Sequence, residues 1–276
     1  MLLSRRPAAP EGAIRTVPWD GRTVGAWAGE LAGASALVNF TGRSVACLYT
    51  PENRREIIAS RVDSVAALAS ALAVCPRPPP VWVQASSLAI YGDPGDRVCD
   101  ETAPAAAGFS AEVCRTWEQE FFSRTVPAGT RRVALRIGFV LGRNGGALEP
   151  LARLAGWYLG GTVGDGRQYI SWIELGDFCS VCRWVIDRPD TLGAYNVTSP
   201  EPVTNADFMR ELRRALGRPW SPPAPAWAVR LGARWLMRAD PGLALTGRRC
   251  VPRRLTEEGF RFQHRDLGAT LRELVA

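Results

Sequence analysis

Lysine is absent from this chain: all 34 basic residues are arginine, and there is a single histidine, His264. Arginine stays protonated in proteins, so no side-chain amine can titrate or form a Schiff base as lysine would. No apolar run approaches the roughly 18 residues that span a bilayer, and Arg5-Arg6 near the start is not followed by the apolar stretch of a signal peptide. These absences predict a cytoplasmic protein with no membrane partner. Seven cysteines at irregular spacing, an odd number, fit reduced thiols rather than a disulfide framework. Cys179 and Cys182 form the one Cys-x-x-Cys. Without a second pair or further histidines they read as small residues on a helix face rather than a zinc site, so no metal is expected. His264 reads as a surface residue. A glycine-rich phosphate-binding turn is also missing near the N-terminus.

What is present suffices for a folded core. With 46% apolar residues, a chain of 276 can bury one large core, or a domain plus an appendage. The formal charge of +7 is spread along the chain in pairs such as Arg54-Arg55, Arg213-Arg214 and Arg253-Arg254. That dispersal predicts a solvated surface and no nucleic-acid partner. Short apolar runs around Leu2-Leu3, Ile14 to Val17 and Ala36 to Phe40 read as buried parallel strands, as do Val81 to Ser86 and Val133 to Val140.

Thr50-Pro51-Glu52 carries the cap, the proline and the acid of a helix start, and an apolar stripe continues to Cys75. A second helix is predicted from about Ser110 to Arg124, and Thr204 to Asp207 forms a capping box for another. Strands alternating with helices predict an α/β fold, a Rossmann-like doubly wound parallel sheet. Beyond Pro219 the strand signals fade, while Trp227, Leu231, Trp235 and Leu236 keep helical spacing. The expected division is 1–200 for the sheet domain and 201–276 for a small helical unit.

An open parallel sheet binds ligands beyond the carboxyl ends of its strands. The segments there are Ser4-Arg5-Arg6, Asn39-Phe40-Thr41-Gly42, Ser86-Ser87 with Tyr91-Gly92, and Leu135-Arg136-Ile137-Gly138. They are followed by Gly164-Asp-Gly-Arg167-Gln, Ser171-Trp172-Ile-Glu174-Leu-Gly-Asp177-Phe and Tyr195-Asn-Val-Thr. In this order and spacing they resemble the atypical extended short-chain dehydrogenase/reductases of the NAD-dependent, nucleoside-diphosphate-sugar epimerase-like family. The resemblance runs from Leu2 to about Leu271, and includes the small C-terminal domain of unknown function that closes such proteins.

The resemblance implies an NADP(H)-binding epimerase or oxidoreductase, with NAD as the alternative cofactor, acting on a small hydroxylated or sugar-nucleotide-type substrate. Ser4, Arg5 and Arg6 would face the adenosine ribose, where paired guanidiniums favour a 2′-phosphate. Asn39, Thr41, Gly42, Ser86 and Arg136 would line the cofactor. Ser87 and Tyr91 would be catalytic, or else a strand-end cap and a packing spacer. Arg167 and Trp172 would meet substrate, while salt bridging accounts equally well for Arg136 and Arg167. The chain is expected to act as a monomer or homodimer.

Two departures from the superfamily stand out. Its Tyr-x-x-x-Lys proton-transfer pair is replaced by Phe109-Ser-Ala-Glu-Val113, and none of the five tyrosines is followed four residues later by lysine. The remaining acid–base candidates are Tyr91, Ser87 and Glu112, and the alternative is a non-catalytic, dinucleotide-sensing protein. The second departure is that the chain starts at what resembles the family's second strand, which makes the expected sheet incomplete at its N-terminus. An upstream start is the favoured expectation. Otherwise the gap closes by rearrangement or with a borrowed strand, or the product does not fold stably.

Overall fold

A computed structural model describes residues 1–276 apart from 7–11, 144, 147, 236 and 237, so Leu236 lies outside the described residues. The first half runs β1 (Leu2–Ser4), β2 (Thr16–Pro18), a 3-10 turn at Ala26–Leu31, β3 (Leu37–Asn39), α1 (Pro51–Ala73) and β4 (Val81–Ser87). After a second 3-10 turn at Leu88–Tyr91 come β5 (Val98–Cys99), α2 (Phe109–Ser123), β6 (Arg131–Ile137), β7 (Phe139–Leu141) and α3 (Leu148–Gly156). Next are β8 (Tyr169–Ile170), β9 (Trp172–Glu174), α4 (Leu175–Asp187), β10 (Gly193–Val197), β11 (Val203–Thr204) and α5 (Asn205–Ala215). The chain ends with α6 (Ala226–Trp235), α7 (Gly242–Leu245), β12 (Arg249–Cys250), α8 (Arg253–Glu257) and α9 (Leu267–Val275).

The main sheet is parallel, in the order β3-β4-β6-β10, while β1 and β2 form a separate parallel pair. Among the described residues no strand joins β1 to β3. The sheet is therefore split where the sequence implied an incomplete one. A hydrophobic cluster bridges the split: Trp19, Trp27 and Leu31 pack with Leu68 and Leu72 of α1, and Leu3 and Val17 rest against them.

Helices cover both faces of the main sheet, as its near-continuous apolar strands require. Trp82 and Ala134 face the α1 and α2 side, together with Trp117 and Phe121. Val83, Val133, Leu135, Tyr195 and Val197 face the other side, against Val181 and Val185 of α4 and Leu255 of α8. The N-terminus of α1 is built as its sequence predicts: Thr50 Oγ1 accepts the Asn53 N–H at 3.2 Å, and Pro51 opens the helix. Thr204 caps α5 in the same way, accepting from the Asp207 N–H at 3.1 Å.

Residues beyond 200 pair back into the sheet domain. Strand β11 joins β8, β12 joins β5, and Leu255 lies within the core cluster under the main sheet. The predicted strand from Val133 to Val140 is interrupted at Gly138, where the chain leaves the main sheet for β7, which pairs with β9. A Cβ on Gly138 would stand 2.5 Å from the Ser171 carbonyl oxygen, so only glycine fits this crossing. Replacing Gly138 by alanine should destabilise the fold by about 1–3 kcal/mol through overpacking, read as a lower denaturant midpoint at unchanged slope.

Candidate functional site

Two rungs of polar side chains cross the main sheet toward its carboxyl end. Asn39 and Gln84 are register partners on β3 and β4, and the Asn39 amide donates to Gln84 Oε1 at 3.0 Å and to Ser64 Oγ of α1 at 3.3 Å. Asn39 Oδ1 accepts the Thr41 N–H at 3.0 Å, which shapes the turn after β3. One rung higher, Ser86, Arg136 and Asn196 are register partners across β4, β6 and β10.

Arg136 holds Glu118 of α2 in a fork, Nε to Oε1 at 2.9 Å and Nη2 to Oε2 at 2.8 Å, and Ser86 Oγ donates to the same carboxylate at 2.6 Å. Burial opposes the charge on Arg136, but the hydrogen bonds and charge of Glu118 outweigh it, and the pKa is raised. Glu118 was not singled out from the sequence. Its signal was a carboxylate inside the apolar stripe of α2, on the face that buries Ala111, Cys114, Trp117 and Phe121.

Tyr91 completes this network. It is fully buried, its hydroxyl donating to Asn196 Oδ1 at 2.8 Å and accepting from Arg136 Nη1 at 2.7 Å. Burial raises its pKa despite the neighbouring guanidinium. With both hydroxyl partners internal, Tyr91 is placed as a strut and presents no free oxygen to a substrate. Burial likewise pushes the Cys114 and Cys250 thiols, in the same cluster, up to about 12.

Ser87 is only partly buried. Its hydroxyl accepts the Ala89 N–H at 3.2 Å, capping the 3-10 turn, and lies 3.5 Å from the Ile137 carbonyl oxygen. Glu112 is exposed on the first turn of α2.

A cavity of about 850 Å³ opens beyond the carboxyl ends of β1, β2 and β3, lined by Ser4, Arg5, Thr41 and Gly42, and by Asp20, Arg22, Arg43 and Glu56. Arg6 is exposed and is not part of this lining; its N–H donates to Ser4 Oγ at 3.1 Å. The turn after β2 supplies a wall that sequence reading missed. Asp20 Oδ1 accepts the N–H groups of Arg22 and Thr23, both at 2.8 Å, and Oδ2 accepts the Thr23 hydroxyl at 2.6 Å. Gly21, at φ +80°, lies against the Thr41 methyl, so the loops after β2 and β3 meet there.

The opposite wall is tied to α1. The Arg43 N–H donates to Ser60 Oγ at 2.9 Å, its guanidinium pairs with Glu56, and Arg61 Nη1 donates to the Arg43 carbonyl at 3.1 Å. The readable signal for Arg61 was an arginine on the inward face of a helix. Its guanidinium lies 4.8 Å above the Trp117 ring.

The expected substrate residues lie elsewhere. Trp172 is fully buried in the cluster beneath α3, α5 and α9, its indole N–H donating to the Glu201 carbonyl at 3.0 Å, so it packs the core rather than lining a cleft. Arg167 is exposed and 3.7 Å from an equally exposed Asp96. Asp177 is buried and accepts the N–H groups of Gln263 and His264 at 3.0 and 2.8 Å, while Glu174 caps α4. His264, read as a surface residue, is instead 23% exposed, with Nδ1 3.4 Å from both Glu174 and Asp177. Among the described residues no group of three or more His, Cys, Asp or Glu is placed to hold a metal ion.

A helix-covered parallel sheet with a cavity at the carboxyl ends of its strands defines a Rossmann-like α/β protein. Comparison with known proteins narrows this. The chain aligns over 280 residues with the epimerase family protein SDR39U1 of Bos taurus at 31% identity, covering all of this chain and 90% of that one. It therefore belongs to the extended short-chain dehydrogenase/reductase, NAD-dependent epimerase-like family. An epimerase family protein of Mycobacterium leprae is 39% identical over 193 residues, 69% of this chain, and the match spans 61% of that relative's length. The crystal structure of human SDR39U1 (isoform 2) with NADPH superposes with a TM-score of 0.86 at 29% identity, covering 99% of this chain and 89% of that one. Residues 224–274 match a domain of unknown function, DUF1731.

Two outcomes follow from the geometry. The Thr23 hydroxyl, followed by the Thr23 and Arg22 N–H groups, holds the Asp20 carboxyl down at about 2. Because the folded value is depressed, the turn is favoured above the ordinary carboxylate range and loses that support as pH falls toward 2. A carboxyl NMR titration should give an Asp20 midpoint near 2 that Thr23→Ala raises. Second, Glu118→Gln should cost about 3–5 kcal/mol of unfolding free energy, because it leaves the Arg136 charge buried and unpaired.

Proposed function

We propose that this chain binds NADP(H) in the cavity beyond β1, β2 and β3, and acts as a reductase or epimerase on a small hydroxylated or sugar-nucleotide-type substrate. The observation that carries the reading is the convergence of Arg5, Arg22 and Arg43 on a polar cavity at the carboxyl ends of parallel strands. Forked guanidiniums fit a phosphorylated ribose better than a bare one. The turn at Thr41-Gly42 supplies backbone at the same place. The family membership, and the NADPH named with the human relative's structure, support the same cofactor.

Bound there, the cofactor would supply or accept hydride. The chain's own part is positional: the Ser87 hydroxyl at the end of β4 would hold the reacting oxygen of the substrate. Glu112, exposed on the first turn of α2, is a candidate acid–base group.

A second reading, a dinucleotide-sensing protein without turnover, is favoured by the closed Tyr91 hydroxyl and the absence of lysine. Calorimetric titration tests the cofactor site that both readings share. NADPH should bind more tightly than NADH, and Arg5→Ala combined with Arg22→Ala should weaken NADPH on the order of tenfold while changing NADH little. Turnover of some carbonyl or alcohol substrate, lost in Ser87→Ala, would mark an enzyme; binding without turnover would mark a sensor. Failure of both dinucleotides to bind would overturn the proposal.

A further inference from the structure

Helix α6 is polarised the wrong way round for a helix packed on a protein core. Its inward face is made of small residues, Ala233 buried and Val229 and Gly232 partly so. Its outward face carries Trp227, Leu231 and Trp235, at helical spacing and 68%, 55% and 75% exposed. Arg230 and Arg234 share that outward face, and Arg238 is exposed just beyond it. None of these three arginines forms an ion pair among the described residues.

The apolar surface continues onto adjoining segments. The chain leaving α3 runs beside the chain entering α6: Arg218 Nε donates to the Gly156 carbonyl at 3.1 Å, and Ala224 N to the Thr162 carbonyl at 2.8 Å. These two segments carry exposed apolar residues of their own, Trp157 and Leu159 at 68% and 56% and Trp220 at 66%. Four tryptophans that far out of the core present on the order of 500 Å² of aromatic surface.

We propose that this face docks the protein peripherally on an anionic lipid surface. The charge selects the partner. From Leu212 to Ala239 the sequence contains six arginines and three tryptophans and no acidic residue. Tryptophan favours the boundary between acyl chains and headgroups, and arginine pairs with anionic headgroups, so one helix carrying both can lie in that boundary. A second copy is a poorer occupant, because two-fold pairing of α6 would set its unpaired arginines against their own copies. The expectation of no membrane partner rested on the lack of a spanning run. No described helix is long and apolar enough to cross a membrane, and an interfacial helix does not need to be.

The test is co-sedimentation of the full chain with vesicles of phosphatidylglycerol and phosphatidylcholine in equal parts, beside vesicles of phosphatidylcholine alone. The expected result is binding to the anionic vesicles, weakened by added salt and much reduced on the neutral ones. Arg230→Gln and Arg234→Gln should each lower affinity roughly fivefold. Trp227→Ala with Trp235→Ala should lower it on the order of tenfold or more. Both tryptophans are exposed, so the unfolding midpoint and NADPH affinity of that variant should match the parent, keeping this test separate from that of the cofactor site.

Three results would overturn the proposal. One is no binding to anionic vesicles. Another is equal binding by the tryptophan variant, which means simple charge adsorption. The third is a dimer, seen by light scattering, that Trp235→Ala dissociates and that ignores vesicles.

Discussion

The forked pair between Arg136 and Glu118 is the interaction around which the carboxyl end of this sheet is arranged. Only 12% and 11% of the two side chains is exposed, so each charge depends on the other and on neutral partners that complete its hydrogen bonds. Ser86 and Tyr91 supply those partners from different elements, Asn196 in turn accepts from the Tyr91 hydroxyl, and Glu101 reaches in to accept the Asn196 N–H at 2.9 Å. Strands β4, β6 and β10, helix α2 and the turn holding Tyr91 are thereby fixed in one register. The Tyr91 phenol is held within this arrangement by Asn196 and by Arg136, an arginine being suited to the place because it cannot deprotonate.

The cavity depends on a different device. Its walls come from loops on two separate parallel blocks, and these meet through Gly21 against Thr41 and through the packing of Trp19 and Trp27 on α1. Arg61 has a share in both regions. It anchors the loop after β3 through the Arg43 carbonyl, while its guanidinium lies over Trp117, next to Glu118 on α2. Helix α1 therefore ties the cavity wall to α2, and does so with a residue on a face otherwise made of Ile57, Val65 and Leu68.

Much of the architecture was legible in the sequence because it rests on local signals. Apolar runs gave strands β3, β4 and β6, and Thr50-Pro51 and Thr204 gave helix starts, all within a few residues of where they lie. The break at Gly138 was not legible, because it depends on a carbonyl from Ser171, far along the chain. The site was harder still. Ser4, Arg5, Thr41 and Gly42 were found by their place after strands, and they do meet at one cavity. Trp172 and Tyr91 rest on their match to the family's segments, and both are buried, which no local signal reveals because burial is a property of the whole fold. Glu118 and Arg61 carry a faint signal, a charge on the apolar face of a helix, whereas Asp20 looks like an ordinary loop charge until its neighbours are known.

The split sheet also has a thermal consequence. Inside a sheet, neighbouring strands are held by ladders of backbone hydrogen bonds; between β1 and β3 the described residues provide none, and side chains such as Trp19, Trp27 and Leu31 carry the attachment. Hydrophobic attachment weakens on cooling. The β1–β2 block should therefore loosen from α1 in the cold while the four-stranded sheet holds its register. The cavity would widen there first, well before the rest of the molecule gives way.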